Sequence, residues 1–163
     1  MFETECQYSR LGSDALPDAV KRAFAEARGV SKIALMLWEE HCTECAWPQC
    51  YTSCDLYNPR NDAKAMAAML RRLGFTEVIE HYDLGLPGMI DALKTFGDKA
   101  AGAEWGVVFF AGHGIEVGGT SYLIPTDARL QRDAHVGDET ISLDRVMAKV
   151  EAAAKLGVVI LDA

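Results

Sequence analysis

Apolar runs alternate with amphipathic segments along this chain of 163 residues. Four short runs are rich in apolar residues, and three of them are almost continuously apolar, which is typical of strands buried on both faces of a sheet. The intervening segments repeat their apolar residues at the spacing of a helix. The predicted strands cover 31–37, 75–81, 105–111 and 156–161, and the predicted helices cover 15–28, 61–72, 87–101 and 143–155.

Helix-capping residues support the first two helices. Ser13 is the expected N-cap of the first helix, and Asn61 or Asp62 is the expected N-cap of the second. Gly29 and Gly74 follow the two helices, where glycine commonly ends a helix. These residues predict the helix ends to within a few positions.

A β-hairpin is predicted after the third strand. Two short segments, 115–117 and 121–124, flank the turn pair Gly118-Gly119. The following residues, 125–142, are largely polar and are predicted to form a loop.

The order of these elements predicts an α/β fold, with a mostly parallel open sheet covered by helices on both faces. Ligands of such sheets bind beyond the carboxyl ends of the strands. His113 follows the third predicted strand, and Asp162 and Ala163 end the fourth. We therefore expect these residues at one rim of the sheet, which is the first place to look for a functional site.

Charge and hydropathy exclude several classes of partner. A formal net charge of −8 argues against nucleic acid and anionic membranes. No apolar run approaches the roughly 20 residues that span a bilayer. The first ten residues, MFETECQYSR, lack the basic and apolar regions of an export signal. We expect a cytoplasmic protein with reduced thiols.

His113 is the strongest candidate for chemistry, because Gly112 and Gly114 on either side allow a substrate to approach closely. An imidazole can accept a proton from a thiol and later return it to a leaving amine. The backbone N–H of Gly114 can donate to a developing oxyanion. The alternative is a turn histidine with no catalytic role.

Three segments resemble the caspase-like cysteine peptidases, particularly their bacterial metacaspase-like branch. Residues 107–128, VVFFAGHGIEVGGTSYLIPTDA, are similar to the family's histidine segment. Residues 58–75, NPRNDAKAMAAMLRRLGF, resemble the segment after the family's first strand. Residues 141–163, ISLDRVMAKVEAAAKLGVVILDA, resemble the approach to its catalytic cysteine. The resemblance also includes 31–37, and the segments keep the family's order and spacing.

The resemblance implies a three-layer caspase-like fold, with an N-terminal extension containing a helix over 1–30 and a large-subunit domain over 31–163. It implies a cysteine endopeptidase that acts on peptide or protein substrates and cleaves after Arg or Lys. We expect no cofactor and no resident metal.

The resemblance also implies roles for individual residues. His113 would be the catalytic base and acid, and Gly114 would contribute its N–H to the oxyanion hole. Asp62 and Asp162 would line an acidic pocket for a basic P1 side chain, which suits charge-assisted hydrogen bonds. The alternatives are a helix N-cap for Asp62 and a strand-end carboxylate without a ligand for Asp162.

The nucleophile is expected directly after Ala163, because in the family the cysteine follows the Asp-Ala pair. This chain does not contain it, so we expect the chain alone to be inactive and the C-terminal strands of the fold to be missing. A separate C-terminal small-subunit segment is a possible partner for the open edge of the last strand. A fragment of a longer enzyme, a truncated gene product and a non-catalytic interaction module remain open.

Four cysteines lie close together before the second helix: Cys42, Cys45, Cys50 and Cys54. Zinc binding and disulfides are both alternatives, but free thiols in a loop are favoured, because zinc sites usually space two C-x-x-C pairs further apart. Zinc binding would make this a small metal-binding protein. Cys54 is a weaker candidate for a replacement nucleophile.

Calcium activation is an alternative suggested by the acidic loop 125–140. It carries Asp127, Asp133, Asp138 and Glu139. A solvated run of charges explains the same residues and is favoured.

Overall fold

The computed structural model of the chain describes residues 16–39 and 59–162. None of the helices in these ranges is long and apolar enough to cross a bilayer. The helices are Asp18–Glu26 (α1), Pro59–Arg72 (α2), Leu86–Ala100 (α3), Val136–Glu139 (α4) and Leu143–Val150 (α5). The strands are Lys32–Trp38 (β1), Glu77–Tyr82 (β2), Trp105–Ala111 (β3), Gly114–Val117 (β4), Thr120–Leu123 (β5), Ile141–Ser142 (β6) and Leu156–Asp162 (β7).

The main sheet has four strands in the order β2-β1-β3-β7, and every neighbouring pair is parallel. Each strand is connected to the next by a helix or a longer segment, as parallel pairing requires. The predicted α/β fold with a parallel sheet is confirmed.

Two apolar cores lie on opposite faces of this sheet. One core includes Phe24 of α1 and Met66 of α2 against β1 and β3. The other includes Phe96 of α3 and Val146 of α5 against the same strands. Strand β1 is buried along its whole length, because its side chains alternate between the two cores. The predicted covering of both faces by helices is therefore also confirmed.

The predicted hairpin is present and belongs to a second sheet, which is antiparallel and has the order β4-β5-β6. Its turn places Gly118 and Gly119 at φ angles of 61° and 80°, which glycine adopts without steric cost. The prediction of a plain loop over 125–142 is wrong. This region contains a 3-10 turn, α4 and β6, because Val136 and Ile141 are buried and draw it onto the fold.

Three predicted element starts are wrong. Helix α1 begins at Asp18, with Pro17 at the N-cap position in place of the expected Ser13. Helix α2 begins at Pro59, a residue favoured at the first position of a helix. Asn61 and Asp62 therefore lie in the first turn and do not cap it. Strand β2 begins at Glu77, because the N–H of Phe75 still donates to Leu70 of α2.

The fifth helix is shorter than predicted and ends at Val150. After it, the N–H groups of Ala154 and Lys155 donate to the carbonyls of Ala103 and Glu104. These tertiary hydrogen bonds replace the next helical turn and align β7 beside β3.

A buried lysine joins the ends of two helices. The Nζ of Lys32 on β1 donates to the carbonyls of Phe24 and Leu73, at the C-terminal ends of α1 and α2. It lies 5.4 Å from the centroid of the Trp105 ring, in cation–π contact. Burial lowers the pKa of Lys32. The lysine therefore satisfies carbonyls that the helices leave without partners.

Phe24→Ala tests whether α1 is part of the folded core. The Phe24 side chain is fully buried, and its ring lies 5.3 Å from that of Phe75 and 5.4 Å from that of Trp105. We expect the free energy of unfolding to fall by about 3–5 kcal/mol, measured by chemical denaturation. Val20→Ala, which truncates a partly buried neighbour, is the matched control and should cost less. A loss below about 1 kcal/mol for Phe24→Ala would show that α1 is not packed against the sheet.

Candidate active site

Three neighbouring strands end together at one rim of the main sheet. The parallel register places Trp38, Ala111 and Asp162 side by side at the carboxyl ends of β1, β3 and β7. The ladder continues beyond them, since the N–H of Glu39 donates to Ala111 at 3.0 Å and the N–H of Gly112 donates to Asp162 at 3.1 Å. The rim thus holds the predicted residue Asp162 directly beside the start of the Gly112-His113-Gly114 turn. Ala163 and the position after it lie outside the described residues.

A glutamate that the sequence analysis did not select lies against His113. The Oε2 atom of Glu39 accepts the backbone N–H of His113 at 3.3 Å and is 3.7 Å from the Nδ1 atom of its ring. The Glu39 side chain is 6% exposed, whereas that of His113 is 24% exposed. The imidazole therefore has one side against a buried carboxyl group and part of its surface open to solvent.

Glycine is required at position 112 for this contact. A Cβ atom on Gly112 would lie 2.7 Å from the Oε2 atom of Glu39 and 2.7 Å from the ring of Phe110. Real side chains do not tolerate distances this short. Gly112 therefore leaves space for the carboxyl group of Glu39. The sequence had suggested that it leaves space for a substrate.

The environment of Glu39 favours its neutral form. Burial is the main cause that raises the pKa of Glu39, and the carboxylate of Asp83 adds to the increase. The hydrogen bonds and charge of His113 oppose the shift without cancelling it. The Oε1 atom of Glu39 is buried and has no hydrogen-bond partner within residues 16–39 and 59–162. A buried oxygen atom without a hydrogen-bond partner costs free energy, so few native structures keep one without a specific reason.

The N–H of Gly114 is directed away from the hairpin partner. The N–H of Ile124 donates to the carbonyl of His113 at 2.9 Å, which puts these two residues at a hydrogen-bonded position of the ladder, although the N–H of His113 donates to Glu39. Opposed residues of an antiparallel ladder alternate between bonded and non-bonded pairs. The next pair, Gly114 and Leu123, is therefore non-bonded. Gly114 is exposed, and its N–H lies on the outer side of β4, which is an edge strand.

Asp62 and Asp162 share an electrostatic environment. Asp162 is level with Ala111, whose side chain belongs to the core under α2, and Asp62 lies in the first turn of α2. Burial raises the pKa of Asp62, and the negative charge of Asp162 raises it further. The structure therefore brings the two predicted pocket residues close enough for one charge to act on the other.

The acidic loop uses two of its carboxylates to hold backbone groups. Asp127 accepts the N–H of Leu86 at 2.7 Å, at the start of α3, and Glu139 accepts the N–H of Arg129 at 3.0 Å. Within the described ranges, no cluster of three or more His, Cys, Asp or Glu residues could hold a metal ion. The four clustered cysteines, Cys42 to Cys54, lie outside the described residues.

One feature of the sequence indicates that Glu39 has a specific role. It is an ionisable residue placed directly after the apolar run of β1, at the end of a strand expected to be central. Carboxylates rarely lie at such a position without a partner. The partner could not be recognised, because the register of β1 beside β3 is not visible in the sequence.

The fold and the rim define the class of protein. A parallel sheet flanked by helices, with a histidine in the turn after a central strand, is consistent with the caspase-like fold. A sequence model of the caspase domain, which describes peptidases of the C14 family, matches residues 47–163, more than two thirds of the chain. The chain therefore belongs to the caspase-domain family of peptidases. A comparison with curated protein sequences found no match.

Glu39→Gln tests the cost of the buried carboxyl group. A carboxyl whose pKa is raised by folding stabilises the folded state most at low pH, and this stability is lost as pH rises through the folded pKa. The loss for Glu39 begins near its ordinary value of 4.5, and glutamine does not titrate. The free energy of unfolding of Glu39→Gln minus that of the parent should therefore increase as pH rises above about 4.5.

Denaturant titrations at a series of pH values measure this difference. Glu116→Gln removes one carboxyl from an exposed position of β4 and is the matched control for the change in net charge. A difference for Glu39→Gln that stays constant or decreases with pH would contradict a raised pKa.

Proposed function

We propose that this chain is the part of a caspase-like cysteine endopeptidase that contains the catalytic histidine, and that the enzyme cleaves after Arg or Lys. His113 is the general base and acid, and Gly114 supplies an oxyanion N–H. Asp62 and Asp162 bind the basic P1 side chain. The substrate is a peptide or protein, and no cofactor is needed.

The register between β3 and β7 is the observation that carries this proposal. Ala111 is level with Asp162, and each strand runs in the same direction. If the register continues for two residues, the position after Ala163 lies opposite His113. Adjacent strands are about 4.8 Å apart, which allows side chains on one face to interact. A cysteine at that position is thus within reach of the imidazole.

The mechanism follows from these positions. The imidazole of His113 accepts the thiol proton, and the sulfur attacks the carbonyl carbon of the scissile bond. The N–H of Gly114 stabilises the oxyanion of the tetrahedral intermediate. The C–N bond then breaks, and the proton passes from His113 to the leaving amine. Water, activated by the neutral imidazole, hydrolyses the thioester and regenerates the thiol.

The acidic pair supports specificity for a basic residue. Burial is the main cause that raises the pKa of Asp62, and the negative charge of Asp162 adds to the increase, so the two carboxylates repel each other when both are ionised. A guanidinium or ammonium group between them removes this repulsion and forms charge-assisted hydrogen bonds. A P1 aspartate would add a third negative charge. This preference is the one that the metacaspase-like resemblance implies.

Peptide cleavage by the product of the longest reading frame containing this sequence tests the proposal. The substrates are fluorogenic peptides that differ only in P1, as Arg, Lys or Asp. We expect cleavage after Arg and Lys, with loss of activity in His113→Ala. Asp162→Asn should lower kcat/KM for the Arg peptide by about 10- to 100-fold, the equivalent of one hydrogen bond to a charged group.

Two matched controls use residues to which the proposal assigns no role. His135→Ala removes an imidazole from the turn before α4, and Asp98→Asn neutralises an exposed carboxylate of α3 on the other face of the sheet. Neither should change kcat/KM by more than about twofold. Absence of a cysteine after Ala163 together with absence of cleavage would overturn the proposal. Equal cleavage after Arg and Asp would overturn only the specificity.

A further inference from the structure

The proposed peptidase mechanism does not require a contact between Glu39 and His113. That mechanism uses the imidazole and a thiol, and it assigns nothing to a buried carboxyl group. Yet the Glu39 side chain is 6% exposed, its Oε2 atom is 3.7 Å from the Nδ1 atom of His113, and Gly112 leaves the room for it. Burial of a carboxyl group is costly, so a specific role is the expected compensation.

The Oε2 atom of Glu39 is the carboxyl oxygen that faces His113. It already accepts the backbone N–H of His113 at 3.3 Å. The other oxygen, Oε1, is buried and has no partner within the described ranges. With Glu39 ionised, or with its proton on Oε1, the Oε2 atom presents a lone pair to the Nδ1 side of the ring.

An acceptor beside Nδ1 determines which ring nitrogen carries the proton of a neutral histidine. With the proton on Nδ1, the Nε2 atom has a free lone pair and can act as a base. The distance of 3.7 Å between Oε2 and Nδ1 is longer than a hydrogen bond. In enzymes without substrate, catalytic hydrogen bonds are often long and shorten when the substrate binds.

We infer that Glu39 is a positioning residue that holds His113 in the Nδ1–H form and so leaves Nε2 as the proton acceptor. Glu39 anchors the turn through the backbone N–H and selects the tautomer through the same oxygen atom. The inference rests on the proposed role of His113 as the general base, but it concerns a property of this chain that is measurable without catalysis.

A purely structural role for Glu39 makes a different prediction. If the carboxyl group only anchors the turn, the backbone N–H contact explains it and the ring tautomer is independent of residue 39. A stability measurement does not separate the two roles. The position of the ring proton does.

Imidazole 15N chemical shifts of the 163-residue chain, recorded at about pH 9 with 15N-labelled histidine, give this position directly. The spectrum of His113→Asn assigns the His113 signals, and His135 is the internal reference. We expect the Nδ1–H form of His113 to predominate in the parent chain. Histidine free in solution carries its proton mainly on Nε2, so this result is not the default.

Two variants of residue 39 test whether its side chain determines the tautomer of His113. Glu39→Gln keeps the shape and an oxygen acceptor but removes the charge, and Glu39→Met removes the acceptor. The ratio of Nδ1–H to Nε2–H should fall about two- to tenfold in Glu39→Met, as the loss of one ordinary hydrogen bond predicts. Glu39→Gln should lie between the other two. If Glu39→Met does not fold, the difference between the parent and Glu39→Gln decides.

A predominant Nε2–H form in the parent chain would overturn the inference, and so would a ratio that does not change along the series. The result of the cleavage assay is independent of this tautomer measurement. An Nδ1–H histidine that depends on Glu39, in a protein without peptidase activity, would leave the positioning role intact and overturn only the proposed function.

Discussion

The site depends on the in-register parallel pairing of β1, β3 and β7. Parallel strands that run level with one another end at the same rim, so residues separated by 49 or more positions in the sequence become neighbours. Glu39, His113 and Asp162 meet in this way, and α2 adds Asp62 from the face above. A shift of one residue in either pairing would turn these side chains to the opposite faces of the sheet.

The register is maintained by the two apolar cores and by backbone hydrogen bonds at both ends of the strands. Side chains of β1 and β3 alternate between the cores, so a slipped register would expose one set and bury the wrong partners. At the opposite end, Ala103 and Glu104 accept the N–H groups of Ala154 and Lys155, which fixes where β7 begins. This alignment allows the rim to hold a buried carboxyl group beside an imidazole despite the cost of burying it.

Much of this arrangement follows from the sequence, because continuous apolar runs and helical periods specify buried strands and their covering helices. The glycine-flanked His113 and the hairpin after it follow from the same patterns. Errors occurred where tertiary contacts override local signals: Val136 and Ile141 turn a polar loop into structure, and Pro59 starts α2 earlier than the capping residues suggest. Glu39 was missed because its importance lies in its pairing with Gly112 and His113, which only the register reveals.

The electrostatic coupling between Asp62 and Asp162 is the most direct measure of whether the rim is assembled as described. The Asp62 carboxyl carbon can be titrated by 13C NMR in the parent chain and in Asp162→Asn. If α2 and β7 bring the two carboxyl groups together, the pKa of Asp62 is lower in the variant, because the charge that helps to raise it is gone. Asp98→Asn, on the other face of the sheet, controls for the change in net charge. A pKa of Asp62 that is the same in Asp162→Asn as in the parent would show that the two residues do not share a pocket.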